Sequence, residues 1–180
     1  MVTIKLSISD MKNYFILLLG IFFTSVAMPT DSFDDLYQQG LIAQERMKSD
    51  NSSTWDTALD YYLQASALRP DRAEPLVAIA RYYIAHEQLE LAFMFARRAC
   101  ELAVPDCNMI ELCAYDYFRY EALSACASSV REWKLGLWAT QQALKARSKV
   151  ERLHERLCYY HEQLTLEAGR AIMVKESNSL

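Results

Sequence analysis

Small and aromatic residues recur along this chain at a fixed distance. Ala58 and Ala65 are answered 34 residues later by Ala92 and Ala99, with Tyr62 between the first pair and Pro70 after it. Between them Leu76, Ile79, Ala80 and Tyr83 are spaced three, one and three apart, as on the buried face of an amphipathic helix. After an insertion of about ten residues the pattern resumes. Tyr120, Leu123, Ser124 and Ala127 repeat the second set, and Trp133, Gly136 and Ala143 form another small-residue helix. The spacing predicts three helical hairpins, because small residues let two helices approach closely and a helix stops where Pro70 stands.

In the first hairpin the opening helix is expected over about Ser32–Met47. The polar stretch KSDNSSTW then makes a lengthened loop before a second helix from near Ser53. Ser53 with Asp56, and Ser148 with Glu151, are read as helix N-terminal caps, and Glu74 with Pro75 suits a first helical turn. Beyond Ser148, the residues Val150, Leu153, Leu157, Tyr160, Leu164, Ala168 and Ala171 predict one amphipathic helix over 148–172, with a flexible tail at 173–180. A stack of hairpins leaves its last apolar face bare, and this helix would cover it.

The positions match the tetratricopeptide unit, so the expected fold is all-α: a tetratricopeptide-like right-handed solenoid of about three helix pairs over 28–147 plus a C-terminal capping helix. Trp55 to Ala99 has a narrower likeness. Its segments RPDRAEPL (Arg69–Leu76), ARYY (Ala80–Tyr83) and ARRA (Ala96–Ala99) resemble the helical-repeat extension beside the catalytic domain of some bacterial family 2 glycosyltransferases. The likeness extends more weakly over Leu36–Ala146, with departures at Phe118, Arg119 and Ala122. It implies fold and, by analogy, a glycan or cell-envelope setting. It implies no activity, since the sequence holds no α/β nucleotide-sugar domain.

Residues 14–27, YFILLLGIFFTSVA, follow Lys5 and Lys12 and end in the small-x-small triplet Ser25-Val26-Ala27. Residues 1–27 therefore read as a signal peptide cleaved after Ala27, with Met1 or Met11 as start; a retained anchor over 14–28 is the competing reading. Cleavage would leave 17 basic and 22 acidic residues, and the whole chain is already at −4. Such a charge supplies no phosphate-neutralising surface, so nucleic acid is not an expected partner. The expected location is periplasmic or secreted, with a membrane involved only if the anchor stays.

The candidate chemistry is sparse. Five cysteines would leave one unpaired in an oxidising compartment. They read either as core thiols, with Cys113 near the buried face, or as one bridge such as Cys100–Cys107. His154, Cys158 and His161 share a helix face, but the two histidines would lie about 10.5 Å apart along the axis, too far for one ion. Asp34-Asp35 suits a helix start, and the repeat tyrosines Tyr62, Tyr83 and Tyr120 suit a core. No metal, cofactor or catalytic residue is expected.

The first helix of each pair should line the inner face, where Val77, Arg81, Ile84, Glu121, Ala125 and Ser128 are expected to be exposed. Arg81 reads two ways: a forked contact to a partner's carboxylate between apolar Val77 and Ile84, or an internal ion pair with Glu74 or an acid of the insertion. The leading expectation is an exported, non-catalytic scaffold for a protein or peptide partner. An accessory subunit of a glycosyltransferase is the alternative, and a metal- or redox-active protein the third.

Overall fold

The structure is a computed structural model and describes residues 32–49, 54–106 and 111–177. The signal peptide or anchor, the Ser53 cap, Cys107 and its bridge, and residues 178–180 lie outside the described residues. Among the described residues seven α-helices follow one another: α1 Phe33–Ser49, α2 Thr54–Leu68, α3 Glu74–Ala85, α4 Leu89–Glu101, α5 Arg119–Cys126, α6 Trp133–Ala146 and α7 Glu151–Ser177. A π-helical turn, Ala114–Phe118, runs directly into α5. Among the described residues there is no strand, and no helix is long and apolar enough to cross a membrane.

The helices pack as α1 with α2, α3 with α4 and α5 with α6, each pair against the next, and α7 lies on α6. This is the expected tetratricopeptide-like solenoid with its terminal helix. The repeating small residues are the reason the pairs fit. Ala58, Ala65, Ala80, Ala92, Ala96, Ala99, Ala122, Ala127, Ala139 and Ala143 are essentially sealed from solvent. Glycine is required where a tyrosine crosses the backbone. A Cβ on Gly40 would stand 2.5 Å from the Tyr62 ring, and one on Gly136 would collide with Tyr160.

The hairpin turns of the second and third pairs share one backbone design. Glu87 and Arg131 take left-handed conformations with φ 59° and 58°. In each turn the next amide reaches back five residues, Gln88 N–H to the Tyr83 carbonyl at 2.9 Å and Glu132 N–H to that of Ala127 at 3.0 Å. Both turns also close the inner bond, from Glu87 to Ile84 and from Arg131 to Ser128, at 3.1 Å each. These are Schellman turns, which satisfy the free carbonyls at a helix end. Their matching geometry gives the second and third pairs the same turn between their two helices.

The terminal helix differs from expectation at both ends. It begins at Glu151, and Ser148 offers its carbonyl to the His154 ring at 2.7 Å; the expected hydroxyl cap is not formed. It continues to Ser177, past the expected end at residue 172. Leu153 and Tyr160 are buried against the third pair, and burying side chains of this size stabilises by about 1.5–3 kcal/mol each. A polar chain reinforces the joint. Tyr160 donates to the Ser124 carbonyl at 2.8 Å, and Ser124 and Thr140 share a hydroxyl bond at 2.7 Å, with Thr140 donating in turn to the Gly136 carbonyl at 2.7 Å.

Candidate functional site: a groove across the first two helix pairs

The loop before α3 sets one wall of the site. Arg72 and Glu74 form a buried ion pair at 2.6 Å, with side chains 6% and 1% exposed. Tyr115 from the π-helical turn completes it, accepting the Ala73 amide at 3.0 Å and donating to Glu74 at 2.8 Å. A tyrosine from a distant segment thereby does the work of a helix cap that Ala73 cannot supply. Burial by itself would raise the Glu74 acidity constant, but the bonds from Arg72, its own backbone and Tyr115 outweigh burial and lower it.

Between α1, α3 and the π-helical turn lies a hollow of about 80 Å³. Tyr37 and Gln44 come from α1, Ala78 and Arg81 from α3, and Glu111 and Phe118 from the segment across from them. Enclosing a small molecule takes several hundred Å³, so this space suits one side chain of a larger ligand. Glu111 accepts from Tyr37 at 2.7 Å and from the Cys113 thiol at 3.2 Å. Burial, and then that bond to Glu111, push the Tyr37 hydroxyl well above its ordinary range. Tyr62 also bounds the hollow, and its hydroxyl donates to Gln44 at 2.7 Å.

Arg81 is exposed and its guanidinium stacks over the Phe118 ring, 4.7 Å from the centroid. It makes no hydrogen bond or ion pair with any described residue. The internal pairing considered for it is therefore corrected: Glu74 is taken by Arg72 and Tyr115, and Glu111 by Tyr37 and Cys113.

Val77 requires a second correction, since it was expected on the exposed face and is 4% exposed. It packs with Leu76, Ala99, Ala114 and Tyr115, because the π-helical turn folds over this part of α3. Ile84 is half-buried against the core formed by the second and third pairs. Glu121 is drawn toward α7, where Arg152 and Arg156 approach it at 3.2 and 3.5 Å. Ala125 is half-buried, and Ser128 is half-buried beside the Tyr160 hydroxyl. Of the expected residues, only Val77 and Arg81 border the hollow, and Glu121 and Ser128 contact the terminal helix instead.

Sequence reasoning missed Phe118, Glu111 and Tyr37 as parts of this wall. A signal existed for Phe118, which with Arg119 interrupts the sequence likeness noted over Leu36–Ala146. Arg119 is itself buried and ties the end of α4, donating to the Leu102 carbonyl at 2.7 Å. Among the thiols, Cys126 is buried, Cys100 and Cys113 half-buried and Cys158 exposed, all four free. Burial pushes Cys100 and Cys126 up to about 12, which keeps them protonated and unreactive. Among the described residues no three metal-ligating side chains converge.

No protein-family model and no curated protein matches the chain. Among solved structures, the first TPR of Spaghetti (RPAP3), bound to the HSP90 peptide SRMEEVD, is similar over 78% of this chain and 99% of its own, with a TM-score of 0.56. At 13% identity the likeness is one of fold, the tetratricopeptide-like helical repeat.

Proposed function

We propose that this chain is a non-catalytic interaction module that holds an extended segment of a partner protein against the groove formed by α1, α3 and the π-helical turn. The observation that carries this reading is Arg81: a charged group at a solvent-open hollow, stacked on Phe118 and with no carboxylate partner among the described residues. The similar TPR domain is bound to a peptide, which supports the same use of the fold here. Peptide-array binding tests it with an Ala78→Trp variant, which fills the hollow from a half-buried position. Binding should fall at least tenfold, and unchanged binding would remove the groove from the reading.

Export belongs to the same reading, supported by the apolar run that ends at Ala27. N-terminal sequencing of the protein recovered from an envelope fraction should begin at Met28, and an intact Met1 or Met11 would contradict cleavage. The segments RPDRAEPL, ARYY and ARRA favour a glycosyltransferase-associated partner as a second reading. Co-purification with a nucleotide-sugar enzyme checks it.

A further inference from the structure

The terminal helix outgrows the repeats it covers. Helix α7 runs for 27 residues, about 40 Å, yet Tyr160 is its last buried side chain among the described residues, and residues 165–173 are all exposed. That end reads TLEAGRAIM, and its Leu166, Ile172 and Met173 are 48%, 58% and 71% exposed. A helical end of this length with no described residue packed on it is marginal in water, and its apolar side chains favour cover. Tyr159, itself 41% exposed, stands seven residues before Leu166, and Met173 seven after. Seven residues make two turns less about 20°, so the three form one stripe along the helix. Glu162 and Arg170 flank it, four residues to either side of Leu166, and neither has a hydrogen bond or ion pair with a described residue.

We propose that this stripe pairs with the same stripe of a second copy, antiparallel, about a two-fold axis at Leu166. The pattern reads the same in both directions. With Leu166 facing its counterpart on the axis, Tyr159 lies opposite the partner's Met173, a ring against a polarisable sulfur, and Glu162 lies opposite the partner's Arg170. Each contact occurs twice, as a two-fold interface requires. A parallel pair would set acid against acid and base against base, so charge selects the antiparallel arrangement. One acid and one base at equal distances from the centre also suit a second copy better than a partner of uniform sign. Gly169 fits the same pairing. A Cβ there would meet nothing within 4 Å, unlike at Gly40 and Gly136, although glycine weakens a helix interior by about 1 kcal/mol. A second helix crossing one turn from Leu166 gives that smallness a use, since it lets two backbones approach. None of these residues borders the hollow, so the pairing is independent of the groove and joins two grooves in one assembly.

Sedimentation velocity of the full chain tests this. One helix from each copy makes a small interface, so a monomer–dimer equilibrium with a dissociation constant in the micromolar range is expected. Leu166→Glu places two carboxylates together on the axis and should weaken association on the order of tenfold. Its melting temperature in dilute solution should not change, because the side chain is exposed. Glu162→Arg and Arg170→Glu should each weaken association several-fold, and the double variant should recover most of the loss. Oxidation in a Cys158→Ser background reads the register. Leu166→Cys should form a disulfide-linked dimer readily, because that position meets itself, and Arg170→Cys should not. A monomer at every concentration, no recovery in the double charge variant, or equal cross-linking at both positions overturns the pairing. So does association indifferent to Leu166→Glu, which would place it on another surface, such as the apolar run before Ala27.

Discussion

The inner side of the first two helix pairs and that of the third are built on the same repeat yet meet different surroundings. At the third pair α7 lies close, and its Arg152 and Arg156 flank Glu121. At the first two pairs the equivalent side is bordered by the short π-helical turn, and Arg81 remains open. The difference teaches that a repeat position does not define a binding residue; what lies across from it does. Arg81 and Glu121 were both read as groove residues, and only Arg81 keeps its charge available.

The comparison breaks most severely at the buried pair that shapes the open half. Glu74→Gln leaves the Arg72 charge without its counterion in a site nearly closed to water, and should cost about 3–5 kcal/mol, read as a large fall in melting temperature. The same pair sets an acid limit. The folded acidity constant of Glu74 lies below its unfolded one, so its contribution is complete above the ordinary glutamate value of about 4.3 and is lost as pH falls through the folded value. The variant should lack that component of acid sensitivity, which thermal melts between pH 3 and pH 7 would reveal.

A smaller effect is expected at the covered half. Gly136→Ala puts a methyl group into the Tyr160 ring, which is packed against the core, and should cost about 1–3 kcal/mol. Because α7 bears that tyrosine, amide exchange should accelerate in α7 before it does in α1 and α2. Uniform acceleration would mean that the two halves do not open separately. The smallest change sharpens the contrast without harming the fold. Glu121→Gln removes a partly solvated ion pair and should shift stability by about 1 kcal/mol or less. Arg156 keeps its bond to the backbone carbonyl of residue 121 and Arg152 its bond to Tyr117, and neither borders the hollow, so peptide binding should be unchanged, in contrast to Arg81→Gln.

Much of the fold was legible because close helix packing has a sequence cost: only small residues fit where backbones meet, and their 34-residue recurrence records it. The groove was less legible. Its wall depends on a π-helical turn, which turns Tyr115 toward Glu74 and covers Val77, and the spacing of α3 alone carries no trace of that cover. Arg81 stood out as a cation on an inner position, but its lack of an ion-pair partner among the described residues was not readable, since Glu74 looked equally available. Arg147 meets Phe118 only through the return of α6, a tertiary fact with no local pattern. Gly136 was placed correctly as a small residue, while the ring that requires it comes from a helix beyond the repeats.

The twin turns at Glu87 and Arg131 have a practical side. Each holds a side-chain-bearing residue where a residue without Cβ would be relaxed, a cost of roughly 1–2 kcal/mol apiece. Neither residue borders the hollow, so the molecule carries removable strain apart from its recognition surface. Robustness and affinity are thus separate dials, open to an engineer one at a time.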